Sequence, residues 1–322
     1  VRSRFVHFLY TLLFISFSSA ALSENIKLIY AAPTVLPSSA CYIAVLNNYF
    51  KEEGLDVEEK IFSSGRDALQ ALASGQAQFQ SGAETPLVHS IVQGSDLVTI
   101  ASISENHEAG FISRLDHGVS KPEELKGKKI ATAAGTNSDY FMYELLKKYN
   151  LKTSDVQITN MKDPDMKIAL INGDIDAYFS REPHLYYAKK ELGDKAKVFE
   201  AGELYSGRQL VNMNRDYVLK NPETVRKIIR ALLKAERFIN EHPEDAKKLV
   251  STKLKIEKKD LDDMWKDIIF KVELDKDLPA ILNKIGIWSM SNSKKEGPLP
   301  DFKSHIYTDA LSKERKTSVE IK

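Results

Sequence analysis

Short apolar runs that switch between a period of two and a period near 3.6 organise most of this chain. Residues 26–30 alternate weakly and predict a first strand. Residues 40–50 have helical spacing, and Gly54 stops them. Residues 57–62 predict a second strand, and Ser63-Ser64-Gly65 then caps a helix over 66–74. Thr85-Pro86 opens another helix, with proline at a tolerated first-turn position, and the β-branched run 97–103 predicts a strand. A second series follows, with strands over 129–133, 156–160, 177–179 and 198–200 and helices over 121–125, 138–149, 166–172 and 182–192. Residues 210–213 read as a return strand. After Asn221-Pro222 the pattern is mostly helical, over 223–240, 243–252, 259–269 and 278–285. From Ser291 onward, polar residues and prolines predict a tail draped over the surface. Strands alternating with helices make this an α/β chain with mostly parallel sheets.

One phrase occurs twice. Ala71-Leu72-Ala73-Ser74-Gly75-Gln76-Ala77-Gln78 and Ala169-Leu170-Ile171-Asn172-Gly173-Asp174-Ile175-Asp176 each end an apolar helix on a glycine and then enter a short strand. Any amphipathic helix ending in glycine can produce the pattern. The alternative is two similar α/β lobes with helix-to-strand units in matching places. Ligands in such folds bind beyond the carboxyl ends of the strands, so two facing lobes would enclose one cleft. The expected organisation is a discontinuous first lobe, 24–111 with 206–322, and a second lobe, 112–205. The chain would cross near 105–111 and again near 202–210, and two crossings make a hinge rather than a tether.

Composition narrows the function. Forty-six Lys and Arg against forty-five Asp and Glu leave a net charge of +1. No basic stripe interleaved with aromatics stands out, so no nucleic-acid partner is expected. Cys41 is the one cysteine, which rules out an intramolecular disulfide and a cysteine-based metal cluster. The seven histidines are scattered without ligand spacing, and there is no HExxH, GxSxG or Walker sequence. No metal, cofactor or catalytic set is therefore expected, and the chain does not read as an enzyme. Arg2 and Arg4, the apolar run 5–17 and Ser18-Ser19-Ala20-Ala21 have the order of a cleavable signal peptide, residues 1–23. His7, Thr11 and Ser16 interrupt the run, so a retained anchor is the weaker alternative. Export without a lipid-bearing cysteine fits the periplasm.

The order of several further marks resembles the type II periplasmic solute-binding proteins of ABC importers, within the nitrate/sulfonate/taurine-binding group, which includes binders of thiamine-pyrimidine precursors. These marks are Asn48-Tyr49-Phe50-Lys51-Glu52-Glu53-Gly54-Leu55-Asp56-Val57, Glu124-Leu125-Lys126-Gly127-Lys128-Lys129-Ile130-Ala131, Gly135-Thr136-Asn137-Ser138, Gly173-Asp174-Ile175-Asp176-Ala177-Tyr178, Glu182-Pro183, and the two helix starts at Asn221-Pro222-Glu223 and His242-Pro243-Glu244. The resemblance implies the type II binding-protein architecture. It also implies capture of a small polar, anionic or zwitterionic solute, delivery to an ABC permease, and a monomer. A heteroaromatic precursor is the alternative ligand, and an enzyme on the same lobes the rival class. The chain departs from the group in Ser180-Arg181, where an aromatic usually precedes Glu-Pro, and in Ser81-Gly82-Ala83-Glu84, which puts an acid in the turn after the third strand.

The candidate site follows from these segments. The resemblance places the Gly135-Thr136-Asn137 turn in the cleft, where a helix N-terminus suits an anionic group; Thr136-Asn137-Ser138-Asp139 also matches a plain capping box. Arg181, at the end of a strand, could grip a sulfonate, carboxylate or phosphate through paired N–H bonds, or be an ordinary ion-pair member. Gly82, Ala83, Glu84 and Glu182 lie at equivalent strand ends, where the acids would suit an amine or instead cap helices. Ser38, Ser39 and Tyr42 stand where the family contributes contacts, and Gln209 and Arg208 lie near the return crossing. Arg181, the Thr136-Asn137 turn and Glu84 are expected to face one cavity. His107 reads either as a hinge or cleft residue or, by preference, as a lone surface histidine.

Overall fold

The computed structural model describes residues 25–321; the expected signal peptide lies outside them. Eleven strands form two sheets among the described residues. The strands are β1 Ile26–Pro33, β2 Leu55–Phe62, β3 Phe79–Ala83, β4 Leu97–Asn106, β5 Ala109–Arg114, β6 Lys129–Thr132, β7 Gln157–Asn160, β8 Ala177–Arg181, β9 Ala196–Glu200, β10 Gly207–Asn214 and β11 Ile268–Glu273. One sheet has the order β11-β4-β10-β3-β1-β2 and the other β7-β6-β8-β5-β9.

Each sheet is mixed. Three strands of each run parallel, β2-β1-β3 and β7-β6-β8. The strands next to the crossings are antiparallel: β10 pairs with both β3 and β4, and β5 with both β8 and β9. A chain that leaves one sheet and soon returns arrives in the opposite direction, which imposes these pairings. The first crossing is only His107 and Glu108, between β4 and β5, and the second is residues 201–206, between β9 and β10.

The duplicated phrase is the same local structure twice. Helix Gly65–Ala73 ends before Gly75, φ +77°, and helix Asp163–Asn172 before Gly173, φ +84°. Gly75 N–H donates to Leu72 O and Gln76 N–H to Ala71 O; Gly173 N–H donates to Leu170 O and Asp174 N–H to Ala169 O. That paired return is the left-handed helix stop that glycine permits. β3 and β8 then follow, and nine residues beyond its glycine each copy carries a glutamate, Glu84 and Glu182.

Several expected elements differ. The helix expected over 40–50 is broken into Ser39–Leu46 and Tyr49–Glu52 by the left-handed Asn48, φ +59°. β5 begins at Ala109, so the expected division at 111/112 falls inside a strand. Residues 259–269 are not one helix: Lys258–Trp265 is helical, and Ile268 and Phe270 turn inward on β11. The segment after Ser291 is not merely draped. Phe302 is fully buried, and residues 306 and 319 form bridges with Thr99 and Leu274. Its polar and proline content hid one anchoring aromatic.

Helix Leu278–Asn292 carries contacts between the two sheets. Its Trp288 meets Tyr140, on helix Asn137–Lys148, with ring centres 5.2 Å apart, and Lys284 Nζ lies 3.0 Å from Glu144 Oε2. The opposite flank is joined by Tyr186 Oη, which donates to Asp260 Oδ1 at 2.8 Å.

Gly286 lies in that helix against the Phe302 ring, where an added Cβ would overlap the ring. Gly286→Ala gains about 1 kcal/mol of helix propensity but overpacks a filled site at a cost of about 1–3 kcal/mol. A net loss of stability is expected, read as a lower urea midpoint with an unchanged slope.

Candidate ligand-binding site

A cavity of about 780 Å³ lies between the two sheets. That size suits a small solute. Val35, Ser64, Arg66, Ala83 and Gln209 line it from the six-stranded side. Thr136, Asn137, Asn160, Lys162, Asp163, Arg181 and His184 line it from the other, and Asn106 and Glu108 from the first crossing. At its rim Arg66 Nη1 donates to Ala134 O at 2.7 Å, joining the two sides.

Arg181 ends β8 and is 8% exposed. Its Nη1 donates to Asp163 Oδ2 at 3.4 Å, and its Nε lies 4.0 Å from Glu108 Oε1. Asp163 opens helix Asp163–Asn172 and also accepts from Ser180 Oγ at 2.5 Å, while His184 Nε2 stands 3.7 Å away. Burial alone would raise Asp163, but Arg181, His184 and the Ser180 bond outweigh it and hold the carboxyl below its usual range. Burial pushes His184 down to about 4, so it is neutral at physiological pH. Burial pushes Glu108 up to about 8 despite Arg181, with Glu182, Asp163 and Asp267 adding to the rise. Asp163 thus already balances Arg181, and Glu108 is held close to neutrality by its surroundings.

The expected site residues divide. Ala83, Thr136, Asn137, Arg181 and Gln209 line the cavity. Ser38 lies behind it: its Oγ accepts from Gln209 Nε2 at 2.6 Å and shares a bond with Ser81 Oγ at 2.8 Å. Ser39 Oγ donates to Leu36 O at 2.6 Å, and Tyr42 Oη binds the Pro33 and Val35 carbonyls, so both staple their own loop. Gly82 packs against the Gln80 side chain. Gly135, φ +72°, gives its N–H to Asp139 Oδ2 at 2.8 Å and starts the helix whose first residues reach the cavity.

The two glutamates at equivalent strand ends are structural. Glu182 Oε2 accepts the Tyr186 N–H at 2.9 Å, at the start of helix His184–Leu192, and burial pushes it up to about 7. The expectation that Glu84 faces the cavity is corrected: Glu84 is fully buried outside the lining. Its carboxylate takes the Tyr205 hydroxyl and, at 2.9 Å, the Arg208 N–H, which pins the return crossing to helix Glu84–Val92. Arg208 is spent on Glu105, at 3.1 Å, and Asp275, at 3.0 Å. His107 is half-buried in the first crossing, with its Nε2 3.8 Å from Glu105 Oε1, so it is a crossing residue rather than a plain surface histidine.

Glu108, Asn106 and Asp163 are among the lining residues that sequence reasoning missed, with Arg66, Asn160, Lys162 and His184. Glu108 adjoins the singled-out His107, and the expected crossing was its only signal. Asp163-Pro164-Asp165 is a helix start whose proline at the first turn could have been read.

Residues 37–246 match the family described as NMT1/THI5 like. The chain belongs to the NMT1/THI5-like family. This NMT1/THI5-like chain is 29% identical over 196 residues to the taurine-binding periplasmic protein of Escherichia coli K12, covering 59% of this chain and 60% of that protein. The match thus spans less than two thirds of that relative's length. Its fold is similar to that of the periplasmic aliphatic sulphonate binding protein SsuA from Escherichia coli, with a TM-score of 0.75, 17% identity, and coverage of 88% of this chain and 97% of that one. The desulfurization enzyme DSZB is also similar, with a TM-score of 0.71, 15% identity and coverage of 91% and 99%. One fold therefore serves a binder and an enzyme among the neighbours, and the site must decide between them.

Tyr205→Phe removes a donor from a buried carboxylate and should cost about 1–3 kcal/mol of stability. Because burial raises Glu84, its contribution to stability is full below the ordinary carboxylate range and is lost as pH rises through the raised value. Losing the hydroxyl raises that value further. The destabilisation should therefore be larger at pH 8 than at pH 5 in urea titrations, and a pH-independent loss would contradict this role.

Proposed function

We propose that this chain is the extracytoplasmic solute-binding component of an ABC importer, holding a small solute of the sulfonate class in the cavity and presenting it to an inner-membrane permease. The two sheets are its lobes, joined by the two crossings as a hinge, and the N-terminal segment directs it to the periplasm. The observation that carries this reading is the cavity between the sheets, with the Arg181 guanidinium buried in its wall. Arg181 gives one long hydrogen bond, at 3.4 Å, to Asp163, which leaves most of its five N–H donors for an anion. The helix that starts at Asn137, in the same wall, has no side-chain cap on its first N–H groups. The taurine- and sulphonate-binding relatives support the same class of ligand.

An enzymatic reading has less support. Cys41 is fully buried away from the cavity lining, and burial pushes its thiol up to about 12. A protonated, enclosed thiol is a poor nucleophile.

Calorimetry against alkanesulfonates, taurine, nitrate and an aminopyrimidine tests the proposal. A sulfonate should bind at micromolar Kd or better, about −8 kcal/mol. Arg181→Lys keeps the charge beside Asp163 but loses the planar fork, and should weaken that binding tenfold or more. Preference for the aminopyrimidine, or turnover of a sulfonate, would overturn the reading.

A further inference from the structure

Two buried amides in the cavity wall keep hydrogen-bonding capacity that the fold does not use. Asn137 is 6% exposed and lines the cavity from the five-stranded side, and among the described residues its side chain makes no hydrogen bond. Gln209 is 3% exposed and lines the cavity from the six-stranded side. β10 fixes it between Ala83 of β3 and Ser104 of β4. Its Nε2 donates to Ser38 Oγ at 2.6 Å, which leaves Oε1 as an acceptor. The free amide atoms of both residues are not sealed inside the protein, so the little surface each residue keeps opens on the cavity it lines.

The rest of the lining narrows the group that meets them. No phenylalanine, tyrosine or tryptophan lines the cavity among the described residues, so a flat aromatic ring finds no stacking partner there. Asn160 and Gln70 add two further amides. A cavity of about 780 Å³ leaves space beyond a two-carbon sulfonate held at Arg181. A plain alkyl chain in that space would set buried amides against carbon, at the cost of unpaired polar groups. An ammonium only donates and leaves the Asn137 NH₂ unmet, whereas a second anion only accepts and opposes Gln209 Oε1. A hydroxyl does both, so it meets the Gln209 acceptor and either end of the Asn137 amide. It carries no charge, so the pairing of Arg181 with Asp163 is undisturbed.

Resting on the reading of the chain as a sulfonate-class binding protein, we infer that its ligand is a polyhydroxylated alkanesulfonate, with the sulfonate against Arg181 and the hydroxyls held between Asn137 and Gln209. The two amides belong to opposite walls, so neighbouring hydroxyls join the two sheets through the ligand. Asn137 opens its helix, so its backbone stands beside the sulfonate and its side chain takes a hydroxyl further along the carbon chain. The division of labour follows. Arg181 serves any sulfonate, whereas Asn137 and Gln209 serve only one that carries hydroxyls. A site whose buried polar groups are built around a hydroxyl rejects the analogue that lacks it, because those groups are then left unpaired.

Calorimetry with propane-1-sulfonate, 2,3-dihydroxypropane-1-sulfonate and benzenesulfonate tests this, the first two sharing one carbon chain. The dihydroxy compound should bind at least tenfold more tightly than either of the others. Asn137→Ala and Gln209→Met should each lower the ratio of the first two affinities about fivefold, the worth of one neutral hydrogen bond. Both variants should still bind propane-1-sulfonate, which shows that they are folded. Arg181→Lys should weaken both compounds and keep the ratio. If propane-1-sulfonate or benzenesulfonate binds as tightly as the dihydroxy compound, or the amide variants leave the ratio unchanged, the selection for hydroxyls is wrong and the binding-protein reading stands. If no sulfonate binds, the inference and that reading fall together.

Discussion

The structure depends on how β10 is held between β3 and β4. It is antiparallel to both, and it is the strand by which the chain returns from the five-stranded sheet. Its start is fixed by the fully buried Glu84 carboxylate, which takes the Tyr205 hydroxyl and the Arg208 N–H. A carboxylate enclosed this way is tolerable only while both donors stay in place. That requirement sets the second crossing beside the first, because β10 runs alongside β4 from its first residue, Gly207 opposite Asn106. Gln209, which reaches the cavity, and Glu108, which hangs from the first crossing, are placed by the same arrangement.

The cavity inherits its chemistry from this geometry. Both crossings are short, so few torsions separate the sheets, and rigid-body closure is the natural motion. The Arg66 bond to Ala134 O spans the rim, whereas the Tyr140–Trp288 and Tyr186–Asp260 contacts lie on the flanks. At the deep end Arg181 stands between Asp163 and Glu108. The first acid neutralises it, and burial raises the second to about 8.

Much of the fold was legible because glycine and proline mark its joints. Gly75 and Gly173 end two helices by the same left-handed stop, and the repeated phrase led to two matching units. The equivalence also explains an error. Glu84 and Glu182 occupy matching positions, and both looked like cavity acids, yet each serves its own helix or crossing. The choice between a cap and a ligand contact depends on where Tyr205 and Tyr186 arrive, far away in sequence, and no local pattern carries that. β5 and β11 were missed for a similar reason: each is short and lies beside a crossing or a helix, where its period is overrun by its neighbour. Arg181 was found because it departs from the family pattern at a strand end. Glu108 was not, because a two-residue crossing has no periodicity, and only the folded chain shows which of its side chains turns inward.

The central claim is that the cavity between the sheets holds a sulfonate against Arg181. A crystal structure of the protein grown with ethanesulfonate tests this most directly. The account predicts the sulfonate oxygens within hydrogen-bond distance of the Arg181 guanidinium and the start of the helix Asn137–Lys148. A sulfonate seated elsewhere, or an empty cavity at saturating ligand, would contradict it.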